Sequence, residues 1–380
     1  MRIHIILYFS FMAKRAELID PEITYPLPSK DKPFAAYIEA CRSLIQRYRL
    51  DLNTDPLPEK VIDYNCPTEF NPEGRVGVLL VHGLLDSPFT MRDIALRLSA
   101  QGLRVRTLLL PGHGTVPGAL LNVKYESWLE TVNAGIQSFA SEVDQLYYIG
   151  HSTGASVGLL HALQNPDTPL AGLVMLAPVL KIASSLDFLQ GFLLQVGRFW
   201  KRFQWFCIEP ENDYVKYQSI AMNSGYQVYR LAQAIWGCQQ SLSVPLHTIM
   251  TQNDKTVSTQ ATLRFLQERV QGSQSLLLYT PSNSTNLPFA TARPAAYPEK
   301  HIRDISHVAL PFAPDNSHYG ENGDYIHASH IEVNLLSPTP TEYGTEILSF
   351  SHSKQRPYSR LSFNPDFDFM MQTIMQFIDL

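Results

Sequence analysis

Several features that would place this chain in other classes of protein are scarce. Only four cysteines occur in 380 residues, and no two form a Cys-x-x-Cys pair, so neither a disulfide scaffold nor a zinc site is expected. They are Cys41, Cys66, Cys207 and Cys238. Lys and Arg number 30 against 35 Asp and Glu, and this slight acidic excess argues against nucleic acid as a partner. The apolar run at residues 3–12 is much shorter than a bilayer-spanning helix.

This N-terminal run leaves the cellular location open. Arg2 precedes it and Lys14 and Arg15 follow it, which resembles a secretory signal, but no small-residue cleavage site comes before the basic pair. The run fits a signal, an anchor, or a start assigned too early with Met12 as the first residue. We expect a cytoplasmic protein, with secretion or membrane association as alternatives. Nothing in the sequence indicates an oligomeric state.

The chain has 45% apolar and 17% charged residues, which is typical of a globular protein with a large core. Its most informative stretch is Gly150–Gly154, of sequence GHSTG. It follows the apolar residues 145–149 and precedes a run of small and apolar residues, a pattern that predicts a strand, a sharp turn and a helix with Ser152 at the apex. Glycines two residues to either side of the serine allow neighbouring backbone to approach closely.

A second motif lies upstream of this turn. The apolar run Val78–Val81 ends in His82-Gly83, and Ser87-Pro88 provides a helix start. A predicted strand at 103–110 is followed by the turn PGHGT at 111–115, and a helix is predicted over 125–140.

The order of strand, HG loop, helix, strand, PGHG turn, helix, strand and GHSTG resembles the α/β-hydrolase superfamily. The resemblance is strongest to its carboxylesterase and monoacylglycerol lipase branch, which includes serine aminopeptidases, and it is close over residues 76–178. It implies an α/β fold with a mostly parallel central sheet, flanked by helices, and a helical cap between strands 6 and 7. It also implies an oxyanion hole formed by the backbone N–H groups of Leu84 and Thr153.

The expected organisation is an N-terminal extension at 1–55, a core at 56–178 and 245–380, and a cap at 179–244. The extension contains an amphipathic helix from Phe34 to Leu50. The cap contains a dense apolar stretch from Leu186 to Phe206, from which we expect an apolar surface above the serine. Further predicted elements are strands at 170–178, 245–251 and 275–280, helices at 258–270 and 365–380, a long loop at 281–298 and a polar tract at 312–360.

The resemblance gives the catalytic order as serine, acid, histidine. The acid is expected in the loop after the strand at 245–251, where the pattern points to Asp254. His307 fits best as the base, because it follows 302–306 and precedes a short apolar run, and His318 is the alternative. The remaining histidines after Asp254 are His301, His327, His330 and His352.

His82 and His151 are expected to stiffen the loops around the site by packing and hydrogen bonding, and His113 is expected to be a turn residue. The polar cluster from His318 to His330 has neither the HExxH nor the EF-hand spacing, so no metal is expected. The predicted chemistry likewise requires no cofactor.

The expected substrate is a small ester, lipid-like and with a medium or long acyl chain, because the cap is apolar. Three alternatives remain open. A proline-type aminopeptidase would need acidic residues in the cap, for which Glu209 and Glu211 are the candidates. An acyltransferase would use the same acyl-enzyme, and a noncatalytic hydrolase-fold protein would bind a hydrophobic ligand or partner.

Overall fold

A computed structural model describes residues 16–49, 58–183, 204–300, 302, 304–325 and 363–379. It also gives the backbone of two further strands at residues 346–348 and 358–360. The apolar cap residues from Leu186 to Phe203, the N-terminal run and the histidines at positions 301, 327, 330 and 352 lie outside these ranges.

An eight-stranded sheet occupies the centre of the described chain, in the order β1-β3-β2-β4-β5-β8-β9-β10. Its first strand is antiparallel to its neighbour and all other pairs are parallel. The mostly parallel sheet predicted from the sequence is therefore confirmed. The twelve described strands are β1 Glu69–Phe70, β2 Val76–Val81, β3 Arg104–Leu108, β4 Gln145–His151, β5 Leu170–Leu176, β6 Trp205–Cys207, β7 Ile220–Ala221, β8 Leu246–Thr251, β9 Gln274–Thr280, β10 Ala290–Pro294, β11 Glu346–Leu348 and β12 Tyr358–Arg360.

Helices cover both faces of this sheet. The helices are α1 Phe34–Tyr48, α2 Glu59–Asn65, α3 Arg92–Ser99, α4 Tyr125–Ala140, α5 Thr153–Gln164, α6 Met222–Gly237, α7 Thr259–Arg269 and α8 Phe367–Phe377, with 3-10 turns at Ala16–Leu18, Pro88–Met91, Pro117–Leu120 and Pro298–Lys300. In β2, Leu79 and Val81 pack with α4, α5 and α6 on one face, whereas Val78 and Leu80 pack with α3 and α8 on the other. Both faces of the strand are buried, which is why β2 is continuously apolar.

The N-terminal helix α1 packs on the main core. Its Phe34, Tyr37, Cys41 and Ile45 are buried in the same cluster as the helices beside the sheet. The Tyr37 hydroxyl accepts a hydrogen bond from the backbone N–H of Leu109 at 3.2 Å. Helix α1 therefore packs against the core beside the sheet, next to the residues that follow β3.

The predicted long loop at 281–298 needs correction, because it contains strand β10. Ala290–Pro294 pairs parallel to β9 at the edge of the sheet. The sequence ATARP has little apolar character, and an edge strand with one partner needs none of the apolar runs that mark a central strand. The structure also contains helix α2 at Glu59–Asn65, which the sequence pattern does not predict.

The described part of the interval 179–244 contains a small β6-β7 hairpin and the helix α6. In the hairpin Trp205 is buried and Phe206 is 69% exposed. No helix among the described residues combines the length and apolar character needed to cross a membrane.

Candidate active site

Ser152 lies at the junction between β4 and α5, where the sequence predicts the sharp turn. Its φ of 53° and ψ of −115° are strained for a residue with a side chain. Its backbone N–H donates to the carbonyl of Leu176 at 2.8 Å, which fixes the turn against the adjacent strand β5. A Cβ on Gly154 would lie 2.5 Å from the carbonyl oxygen of His82, and one on Gly150 would lie 2.5 Å from the Cα of Ala155. Both glycines are therefore required by close backbone contacts.

We expect Gly154→Ala to lower the free energy of unfolding by about 2 kcal/mol or more, because the added methyl group has no space. It also displaces Ser152 and so lowers any activity that depends on this residue. Gly237→Ala is the matched control, since Gly237 is exposed at the end of α6 and no atom lies within 4 Å of its added Cβ. The control should be neutral or slightly stabilising. Urea unfolding of both variants tests this, and equal stabilities would contradict it.

The structure brings the three predicted triad residues together. His307 Nε2 lies 2.8 Å from Ser152 Oγ, and His307 Nδ1 lies 2.8 Å from Asp254 Oδ2. Because a carboxylate only accepts hydrogen bonds, Nδ1–H donates to Asp254 and leaves Nε2 to accept from the serine hydroxyl. This is the hydrogen-bond arrangement that activates a serine nucleophile.

Asp254 has a second set of contacts that holds its carboxylate in place. Its Oδ1 accepts the backbone N–H groups of Thr256 at 2.7 Å and Val257 at 2.9 Å. The residue is therefore a turn aspartate and a histidine partner at the same time. Burial raises the pKa of the Asp254 carboxyl, but the His307 imidazole and the two backbone N–H groups outweigh burial, and its pKa is lowered.

Burial lowers the pKa of the His307 imidazole and outweighs the opposing effect of Asp254, so its pKa lies below the ordinary histidine value. A general base acts in its neutral form, and activity is lost as the pH falls through its pKa. We therefore expect the acid limb of a kcat/KM profile to have its midpoint below about 6.5.

Asp254→Asn should move that midpoint further down, because the charge that favours the imidazolium is removed. Asp144→Asn is the control, since Asp144 is paired with Arg75 on the surface and should leave the profile unchanged. Rates measured from pH 4 to 9 check both expectations. An upward shift in Asp254→Asn would contradict the pairing.

The loop after β2 is held from several sides. His82 Nδ1 donates to the carbonyl of Gly83 at 2.8 Å, and its Nε2 accepts the N–H of Leu110 at 3.1 Å. His113 Nε2 accepts the N–H of Leu85 at 3.1 Å. These bonds hold the loop in place through both rings, as the sequence led us to expect for His82, and none of them uses the N–H of Leu84.

Burial lowers the pKa of His82 far below the ordinary value and that of His113 to about 4, so both rings are neutral near pH 7. Thr153 is the first residue of α5, where a helical N–H has no acceptor within its own helix. The two N–H groups predicted for the oxyanion hole are thus on the loop and the helix start that flank Ser152.

His318, the alternative base, lies in a different cluster. Its Nε2 is 3.1 Å from Asp213 Oδ1 and its Nδ1 is 2.5 Å from Asp324 Oδ1. Lys60 Nζ lies 2.7 Å from the same Asp324. His318 thereby ties the segment after His307 to Asp213, in the interval 179–244, while Asp324 joins the same segment to α2 through Lys60. The ring nitrogens of His318 are engaged by these carboxylates and are not directed at Ser152.

Asp93 holds the segment after His307 from the opposite side. Its Oδ2 accepts from the backbone N–H of Ala313 and the side-chain Nδ2 of Asn316, both at 2.8 Å. Burial raises the pKa of Asp93 to about 6. The segment that carries the proposed base is therefore fixed by side chains from distant parts of the chain.

Sequence reasoning missed a buried ion pair beside this site, formed by Asp86 and Lys216. Asp86 lies two residues after Leu84 in the loop after β2, and that position could have been singled out. Lys216 lies in a stretch without a recognisable motif. Within the described residues no group of three His, Cys, Asp or Glu side chains could hold a metal ion.

A parallel sheet with helices on both faces, and a strained serine between a strand and a helix, define an α/β-hydrolase. The model of the family described as "Serine aminopeptidase, S33" matches residues 72–281, which is more than half of the sequence. The chain belongs to this family of α/β-hydrolases.

Similarity to individual proteins is more limited. A thermostable monoacylglycerol lipase from Bacillus sp. (strain H-257) is 32% identical over 94 residues, which cover 25% of this chain and 38% of that lipase. The monoacylglycerol lipase structure from Paleococcus ferrophilus has 19% identity and a TM-score of 0.46, over 56% of this chain and 88% of that one. The monoglyceride lipase from Saccharomyces cerevisiae, solved with a substrate analogue, has 14% identity and a TM-score of 0.48, over 57% and 82%.

Proposed function

We propose that this protein is a serine carboxylester hydrolase acting through Ser152, His307 and Asp254. The observation that carries the proposal is the continuous hydrogen-bond chain from Asp254 Oδ2 through both nitrogens of His307 to Ser152 Oγ. The partial sequence match to a monoacylglycerol lipase also supports the proposal of an ester substrate. In this reaction the serine oxygen attacks the ester carbonyl while His307 takes the hydroxyl proton.

The remaining steps follow from the same contacts. The tetrahedral oxyanion accepts hydrogen bonds from the N–H groups of Leu84 and Thr153, and each such donor contributes about 3 kcal/mol to transition-state stabilisation. His307 then gives its proton to the leaving alcohol, leaving an acyl group on Ser152. Asp254 stabilises the imidazolium in both steps, and water releases the acid by the reverse sequence.

The preference for a medium or long acyl chain rests on the cap sequence. Twelve of the residues from Leu186 to Phe206 are large and apolar or aromatic, and lipid-like acyl groups bind to surfaces of this composition. They are Leu186, Phe188, Leu189, Phe192, Leu193, Leu194, Val196, Phe199, Trp200, Phe203, Trp205 and Phe206. A small ester with a lipid-like acyl chain is the substrate class that fits.

The two candidate acidic residues give little support to the aminopeptidase alternative. Both oxygens of Glu211 accept backbone N–H groups, from Gln218 and Ser219, each at 2.7 Å. This carboxylate therefore already serves the cap backbone. Glu209 is exposed.

The deciding experiment is steady-state hydrolysis of p-nitrophenyl esters from acetate to palmitate. An optimum at octanoate or longer supports the proposal, and an optimum at acetate overturns the chain-length preference. Proline p-nitroanilide in the same assay tests the peptidase alternative. Glycerol added as an acceptor, with ester products analysed, tests the acyltransferase. No turnover of any ester would favour the binding protein.

A further inference from the structure

Lys216 and Asp86 form a buried ion pair that the proposed triad does not use. The Asp86 side chain is 3% exposed and that of Lys216 is 12% exposed. Asp86 belongs to the loop after β2, whereas Lys216 lies between the cap strands β6 and β7. The pair therefore joins the cap to the loop that carries the proposed oxyanion donor Leu84.

Burying two charges has a free-energy cost that the attraction between them only partly offsets. Burial lowers the pKa of the Lys216 ammonium to about 7, the direction expected for a cation removed from water. A hydrophobic pair would serve a purely structural contact at lower cost. Such a pair beside a proposed catalytic site is consequently a candidate for a functional role.

The contacts of Asp86 lead toward the triad. Asp86 Oδ2 lies 3.5 Å from His151 Nδ1, and His151 Nε2 lies 3.1 Å from the carbonyl oxygen of His307. That carbonyl requires a donor, so the neutral His151 ring carries its proton on Nε2 and presents a lone pair to Asp86. His151 Nδ1 accordingly has no hydrogen-bond partner among the described residues.

Lys216 makes this arrangement of two acceptors stable. Without the ammonium group, the Asp86 carboxylate would face the Nδ1 lone pair of His151 with its charge uncompensated. It would then move away or draw a proton onto the ring, which burial disfavours, since the pKa of His151 is lowered to about 4. Since burial disfavours the protonated ring, the expected response is movement of the carboxylate, which displaces the loop after β2 to which Asp86 belongs.

A neighbouring contact from the same cap segment acts on the same loop. The backbone N–H of Tyr217 donates to the carbonyl of Leu85 at 2.8 Å. Leu85 has a φ of 64°, a left-handed conformation that a leucine keeps only when its surroundings impose it. Lys216 and Tyr217 thus hold two consecutive loop residues that directly follow Leu84.

We propose that Lys216 is a positioning residue, which through Asp86 holds the Leu84 N–H in the orientation needed to bind the oxyanion. This inference rests on the proposed function. Because the oxyanion exists only in the transition state and intermediate, a displaced donor lowers kcat more than it alters KM.

The test uses Lys216→Met, Asp86→Asn and the double variant with the ester that the wild-type protein hydrolyses best. We expect kcat to fall about 10- to 100-fold in each single variant, as for a misplaced catalytic group, with KM within about threefold. The double variant should lose no more than the worse single variant, because the two residues act as one unit. Lys181→Met, which removes an exposed lysine at the start of the cap, is the matched control.

A pH profile separates positioning from general loss of structure. Burial is the main cause of the lowered pKa of His307, and the Lys216 charge lowers it slightly further, so the acid limb of kcat/KM should move slightly to higher pH in Lys216→Met. Circular dichroism and melting temperature establish that each variant is folded, and Asp86→Asn decides the question should Lys216→Met fail to fold. A kcat within twofold of wild type, or a loss confined to KM, would overturn the proposal.

Labelling by a fluorophosphonate distinguishes failure of this inference from failure of the proposed function. In that reaction Ser152 Oγ forms a bond to phosphorus, fluoride leaves and His307 takes the hydroxyl proton. The phosphonyl oxygen uses the same donors as an ester oxyanion, so the labelling rate should fall about 10-fold or more in Lys216→Met. If the wild-type protein is labelled but hydrolyses no ester, the proposed function fails and the labelling rates still test Lys216.

Discussion

Ser152→Ala is expected to lower kcat for ester hydrolysis by about 10⁴- to 10⁶-fold, the loss seen when a serine hydrolase is deprived of its nucleophile. In the proposed reaction the hydroxyl oxygen of Ser152 forms the acyl-enzyme, and this oxygen is the atom that lies 2.8 Å from His307 Nε2. Ser152 is buried, but removing its one side-chain oxygen leaves the backbone contacts of the strained turn intact, so stability should stay close to that of the wild type. Steady-state kinetics and thermal unfolding measure both effects.

Ser156→Ala is the matched control for this substitution. Ser156 lies one turn further along α5 and is buried, and its hydroxyl donates to the carbonyl of Val179 at 2.9 Å. Its loss should destabilise the protein by about 1 to 3 kcal/mol, because the buried carbonyl is left without a partner, while activity stays within about tenfold. Comparable loss of activity in the two variants would mean that the hydroxyl of Ser152 is not the nucleophile.

His307→Ala should reduce kcat by about 10⁴-fold or more, because the serine hydroxyl then has no base. The structure sets this residue apart from His318, which lies between two carboxylates, 3.1 Å from Asp213 and 2.5 Å from Asp324. Removing the His318 imidazole leaves the buried Asp213 without this partner, a change that typically costs about 3 kcal/mol of stability.

The comparison with His318→Gln therefore assigns the base. In that variant we expect a lower melting temperature and a kcat within about tenfold of wild type, whereas His307→Ala should be folded and inactive. A folded but inactive His318→Gln, with activity retained in His307→Ala, would transfer the role of base to His318. Measurements below the melting temperature of both variants are needed for a valid comparison.

The parts of the site that sequence alone predicts are those encoded locally. The turn at Ser152 is specified by two glycines and the flanking apolar runs within about fifteen residues, and the strand and helix on either side appear where expected. The position of Asp254 follows from a strand and its turn in the same way. His307 could be ranked above His318 by local sequence, but the hydrogen bonds of each ring depend on residues far away along the chain.

Other features could not be predicted from the sequence, because they depend on contacts between residues that are far apart along the chain. Strand β10 has no apolar alternation, and only its register beside β9 identifies it. Nothing in the local sequence distinguishes Lys216, and its contact with Asp86, 130 positions earlier in the sequence, is visible only in the structure. The contacts of Glu211 with the backbone N–H groups of Gln218 and Ser219 could not be predicted from the sequence either, and they weaken the case for a residue that the sequence offered for amine binding.

The way in which the base is held has a consequence for the order of folding. His307 meets Ser152 across 155 positions of sequence, and its segment is fixed by Asp93 and Asp213 rather than by a place in the sheet. Contacts of such long range form slowly, because the entropy of closing a long loop is lost before the contact is gained. During refolding, the central sheet should therefore acquire circular dichroism before Ser152 becomes reactive toward a phosphonate, so that chemical competence follows secondary structure by a measurable delay.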